Sequence, residues 1–466
     1  MSAAIKKIKT EFNAPIEAKS ASISRLFQPF RATGHVTTSV PPSLQMRGSE
    51  YFAAVALSNC FQIFDLQNLR LKLVSQAIDT DISGLVAHND TTYVSTGARI
   101  LQFHRAKCVG EMKKDEGASS LIIQMLLFGQ HLLSLHEDGR LCIWDTSTHE
   151  LYTELHFDRH FEACVLFHPA TYLNKILVGG RDGRMQLWNI KSRKLIYEFN
   201  SGFGAAVSCI AQSPVVDVVA VGLSNGKIIL HHLKQDETLF SFQQEGRVTA
   251  ISFRTDDQPI MATSNASGDI ALWNLDERRL TFTMNCAHEG QVTYLEFLNG
   301  KPIVFTSGSD NAIKEWIFDG LDGLPRLLRS RSGHHAPPTC VRYYDEDGRF
   351  LLSAGRDRAM RMFSVFRDEQ NVELSQGASL AKKAKVLNKS VDELKLPFPV
   401  QFASATTRER DWDNVVSCHL NTNVARTWSF ERKAIGKHIL KSKDGSDIKV
   451  CPRFVWYLTL ECRRWP

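Results

Sequence analysis

At 466 residues, with 43% apolar and 23% charged residues, the chain has the makeup of a soluble globular protein that buries a full core. Its 56 basic and 50 acidic residues leave a mild net charge of +6, which suits a ribonucleoprotein setting and solvated surface lysines equally well. Ten singly placed cysteines with no C-x-x-C pair argue against a zinc site or a disulfide framework, and no run approaches the ~18 apolar residues of a membrane span.

The chain starts with Met1–Lys9, which carries lysines but no apolar signal-peptide core, so residues 1–20 read as a disordered polar arm. From residue 21 a repeat sets in. Each unit has a turn residue, often Asp or Asn followed by Gly, then alternating apolar positions, then an aromatic six places after the turn residue. The clearest copies run Asp138-Gly139 to Trp144, Asp182-Gly183 to Trp188, Ser267-Gly268 to Trp273 and Asp310-Asn311 to Trp316. Degenerate copies end at Phe64, Phe103, His231, Phe363 and Trp428. Spacings through the eighth marker run from 39 to 47 residues, close to the roughly 40–45 of WD repeats. One four-stranded sheet cannot bury both of its faces, and stacking such sheets around an axis covers them. The fold class expected is therefore all-β: a WD-repeat seven-bladed β-propeller over 21–330, followed by the incomplete start of a second propeller over 331–440.

A second element supports this frame. His288 lies ahead of Val292 and His334 ahead of Val341, as the Gly-His dipeptide lies at the start of a WD unit. His288, Thr306, Asp310 and Trp316 are then expected to form a hydrogen-bonded tetrad. In the next unit His334, Ser353 and Asp357 repeat the set, with Phe363 in place of Trp. A Ser/His/Asp set invites a hydrolase reading, but its recurrence from unit to unit and the lack of a G-x-S-x-G elbow favour a structural role. Further on, residues 367–396 lose the apolar rhythm and gather Lys382, Lys383, Lys385, Lys389 and Lys395. The stretch reads as a Lys-rich linker, and a basic handle for RNA or an acidic partner is the second reading. A ninth unit, Val415 to Phe430, re-enters the frame. Residues 441–466 carry no repeat unit despite Trp456 and Trp465, and read as a poorly ordered tail of a truncated or alternatively ended product.

Several stretches go beyond the generic repeat: Leu26 to Gly34, His168 to Lys175, Ile251 to Asp256, Phe297 to Ile303, Leu328 to His334 with Pro337-Pro338, and Arg410 to Val416 followed by Ala425 to Trp428. In these the chain resembles the tandem-propeller WD-repeat subunit of the UTP-B complex of the small-subunit processome. The resemblance implies a non-catalytic scaffold in the nucleus and nucleolus, needed for pre-18S rRNA processing. It would work beside other propeller subunits of UTP-B, in a pre-ribosomal particle with small nucleolar RNA and precursor rRNA. Family members continue through a complete second propeller into a helical C-terminal domain.

No phosphate loop, metal spacing or convergent carboxylate pair is present, so no catalytic residue, cofactor, small-molecule substrate or membrane partner is expected. No RRM-like signature is visible, so any RNA contact would be electrostatic. The alternative function is a WD-repeat adaptor, such as a ubiquitin-ligase substrate receptor or signalling scaffold. Ligase receptors of this fold tend to carry Trp-Asp-x-Arg, whereas here Trp144-Asp145 is followed by Thr146-Ser147.

Overall fold

Burial along each repeat rises and falls in a fixed order. Second strands are nearly continuous buried runs, as in Val218–Leu223, while fourth strands such as Lys194–Glu198 are mostly exposed. A strand buried on both faces has a neighbour on both sides, and a fourth strand left exposed lies at an outer rim. The computed structural model of the chain describes residues 32–441 apart from 113–119, 159, 200–201, 321–322, 378–379, 388–393 and 407–409. Among the described residues it contains nine four-stranded antiparallel sheets, each made of four consecutive strands. These blades span 43–74, 84–112, 122–156, 163–198, 207–243, 248–284, 292–332, 338–373 and 399–441 and are called blades 1 to 9.

Every repeat marker falls in the third strand of its blade, from Phe64 in Cys60–Asp65 to Trp428 in Val424–Ser429. The turn before it supplies the left-handed residue that the hairpin requires: Gly139 at φ 77°, Gly183 at 84°, Gly226 at 85° and Gly268 at 98°. The marker side chain then packs against the preceding blade. Trp144 joins the cluster shared by blades 2 and 3, Trp188 that of blades 3 and 4, and Trp273 that of blades 5 and 6.

The same rule closes the ring. Phe64 of blade 1 has no preceding blade in the sequence, yet it packs with Leu298, Phe305 and Ile313 of blade 7. Tyr51 Oη donates to the Asn299 carbonyl across the same seam at 3.1 Å, and Arg331 Nε reaches the Leu69 carbonyl at 3.0 Å. Seven seams therefore join blades 1 to 7 into one closed propeller. Blades 8 and 9 share a separate core around Leu352, Phe402 and Trp428 and begin a second ring.

The stretch 367–396 is more than the linker read from the sequence. Val372–Glu373 pairs with Arg361 and Met362 as the fourth strand of blade 8, and Leu380–Leu387 forms a short helix, α1. Two paired residues are too few to register as a periodic strand, but burial of Leu374 and the Glu373–Arg361 ion pair at 2.8 Å hold them in place. Residues 1–20, Lys389 and the tail from 442 lie outside the described residues.

Candidate interaction surfaces and the ring junction

The expected tetrad is assembled in blade 7. Trp316 Nε1 donates to Thr306 Oγ1 at 3.1 Å, Thr306 Oγ1 lies 2.9 Å from His288 Nε2, and His288 Nδ1 lies 2.9 Å from Asp310 Oδ1. Asp310 also accepts the Glu289 backbone N–H at 3.0 Å. Burial holds the His288 imidazole below its ordinary range, which keeps it neutral. Burial pushes the Asp310 carboxyl up, but the hydrogen bonds from His288 and Glu289 outweigh that and hold it below the usual range. Each proton thus has an acceptor: Trp to Thr, Thr to His, His to Asp. Thr306 and His288 are fully buried, so no substrate atom can approach the hydroxyl.

In blade 8, His334 Nε2 lies 3.0 Å from Ser353 Oγ, and His334 Nδ1 lies 2.8 Å from Asp357 Oδ2. Phe363 gives no N–H to Ser353 and instead packs edge to face with His334, the ring centroids 5.8 Å apart. Ser353 and Asp357 are buried, and the trio has the register of its blade 7 counterpart.

The other predicted residues sit in variants of this lock. Asp138 and Asp182 do not meet a histidine. Each brackets its own turn through the arginine two places on, Arg140 and Arg184, at 2.5 Å. Trp144 donates to Ser134 Oγ at 2.9 Å, which lies 3.1 Å from His136 Nε2, and Trp428 repeats this with Ser417 at 2.7 Å and His419 at 2.9 Å. Sequence reasoning missed both histidines because they follow the serine by two residues rather than preceding the first strand; the Ser-x-His spacing was the available signal. Trp273 uses Thr263 at 2.9 Å, backed by Gln244 at 2.6 Å, and Trp188 uses Gln186 at 2.9 Å.

The junction of the two rings is built on Asn311, which fills the place that glycine takes in other turns. Asparagine tolerates its φ of 58°. Its Oδ1 accepts the backbone N–H of Val36 at 2.7 Å and of Thr37 at 3.1 Å. Its Nδ2 donates to the carbonyls of Gly34 at 3.0 Å and His334 at 2.9 Å. A cavity of about 410 Å³ lies beside it, with Gly34, His335, Pro338, Val341 and Phe363 among its walls.

Of the basic stretch, Lys383 on α1 is exposed, next to the exposed Val386 and Leu387. Lys382 and Lys385 lie on the same helix. Lys395 is paired with Glu373 at 3.3 Å and is nearly buried. Among the described residues no cluster of three His, Cys, Asp or Glu could hold a metal, and no helix is long and apolar enough to cross a membrane.

Comparison with known proteins agrees with the two rings. The family model of the WDR36/Utp21 first β-propeller matches residues 54–319, and that of the WDR36/Utp21 second β-propeller domain matches 339–457. The chain is 39% identical over 451 residues to the U3 small nucleolar RNA-associated protein 21 homolog of Schizosaccharomyces pombe, covering 96% of this chain and 49% of that protein. It is 38% identical to the human WD repeat-containing protein 36 over 90% of this chain and 47% of that one. It is 30% identical to the U3 small nucleolar RNA-associated protein 21 of Saccharomyces cerevisiae over 96% and 49%. The chain spans about half the length of these relatives.

Proposed function

Because the chain belongs to the WDR36/Utp21 family of β-propeller proteins, we propose that it is a non-catalytic scaffold of the small-subunit processome, acting in nucleolar pre-18S rRNA processing and small-subunit assembly. The observation that carries this reading is similarity along 96% of the chain to proteins named for association with the U3 small nucleolar RNA. The side chains support a platform. The histidines, serines and aspartates that could suggest chemistry are spent on locks within the blades, which leaves connecting loops on a rigid frame to meet other macromolecules.

Its partners are other propeller subunits of the UTP-B complex, and through them the particle that holds small nucleolar RNA and precursor rRNA. Direct RNA contact, where it occurs, is electrostatic and weakens with salt, with Lys382, Lys383, Lys385 and Lys389 as its handle. The test is to tag the chain and purify it from nuclei at moderate salt. Recovery of UTP-B subunits together with precursor rRNA is expected. Recovery of a cullin scaffold in their place would transfer the assignment to a ubiquitin-ligase receptor.

A further inference from the structure

Blade 1 and blade 7 share no strand. Each is made of its own four consecutive strands, so among the described residues no strand exchanged between the two blades staples the ring where it closes. Side chains hold that seam, through the apolar cluster around Phe64 and the Tyr51 and Arg331 hydrogen bonds, and one further segment adds backbone to it. The segment Thr33–Val40 lies across it. Thr38 Oγ1 donates to the Ala56 carbonyl in blade 1 at 3.1 Å, and Thr37 Oγ1 lies 3.0 Å from Ser307 Oγ in blade 7. Val36 is buried in the apolar cluster that the two blades share, and Val40 packs against the next cluster, between blades 1 and 2.

The same segment reaches the second ring. A Cβ on Gly34 would meet the Phe363 ring of blade 8 at 2.7 Å, so the backbone occupies the place where that marker would otherwise face a preceding blade. A Cβ on Gly333 would meet the Gly34 carbonyl oxygen at 1.8 Å, so the crossing is too close for any other residue. Asn311 joins all three parts, holding the segment by three hydrogen bonds and the start of blade 8 by the fourth.

We propose that Thr33–Val40 is a locking strap, keyed by Asn311, that makes closure of the first ring and mounting of blade 8 a single cooperative event. An unpaired buried amide is expensive, so the strap cannot lift while Asn311 stays seated, and neither seam opens without the strap. The junction between the rings is then a rigid joint and not a flexible linker.

Hydrogen exchange read by mass spectrometry on the whole chain tests this. Asn311→Gly keeps the turn, since glycine adopts φ near +58° without strain, and removes all four hydrogen bonds. Exchange is expected to quicken on the order of tenfold or more in three places together: 33–40, 303–313 and 334–340. Blades 3 to 5 should be unchanged. Thr37→Val removes one hydroxyl and should quicken the same three regions by about threefold. Acceleration confined to 33–37 would make Asn311 a local turn residue and overturn the proposal. Unchanged exchange, or equal acceleration in every blade, would do the same.

Discussion

At the closing seam Glu315 is fully buried, with Oε2 on Arg329 at 3.2 Å and Oε1 without a hydrogen-bond partner among the described residues. Burial pushes its carboxyl up to about 7 despite the opposing pull of Arg329 and Arg331. A carboxyl raised in the folded state stabilises the fold fully below its unfolded value of 4.5, and that contribution is lost as pH rises through about 7. The protein should therefore lose stability from this group between those values, by about 1.4 kcal/mol per pH unit. Glu315→Gln should match the parent at pH 5 and melt higher at pH 8; parallel melting profiles at the two pH values would refute the assignment. Phe363 gives a prediction that runs against the repeat pattern. Restoring the consensus by Phe363→Trp would supply the missing N–H to Ser353, but the Gly34 backbone fills that space. The larger ring should lower stability by about 1–3 kcal/mol in urea denaturation, and a stabilised variant would show that the strap yields.

Blades were legible in the sequence to the extent that they rest on turns and markers. A left-handed turn selects Gly or Asn, and an inter-blade gap selects a large ring, so both leave a periodic trace. What left no trace depends on register. In each of blades 1 to 7 the fourth strand carries one extra residue beside the marker: Lys72, Val109, Tyr152, Ile196, Leu239, Thr281 and Leu328. These bulges bend the outer edge and break the row of groups that another strand could pair with. Five of the seven are apolar, as residues anywhere in a strand are, so no residue type marks the position and only the count of residues matters. The histidine of the lock was equally hidden in blades 3 and 9. The bond to the serine can come from a ring above it or beside it, so one hydrogen bond has two sequence signatures.

For the whole molecule, the repeat suggested seven blades over 21–330, but nine units share one pattern and the repeat alone could not show that the ring closes after the seventh. The division came from where Phe64 packs, a contact between residues more than two hundred positions apart. The start of the second ring should be softer than the first. Blade 9 shares an inter-blade core with blade 8 alone among the described residues, and Val400, Leu420 and Ile439 are exposed on it. Amides around Cys418 and Trp428 should exchange faster than those around Cys142 and Trp144 in native-state hydrogen exchange; equal protection would mean that two blades suffice for a stable core. Blades made from consecutive strands also bear on synthesis. A nascent chain emerging at about 5–20 residues per second completes one such unit every few seconds, and each can collapse onto its predecessor while the ribosome is still translating. Only the join between the oldest and the seventh unit must wait, and with it the mounting of blade 8, so a translational pause once residue 373 has emerged would fall where the growing arc first meets its own beginning.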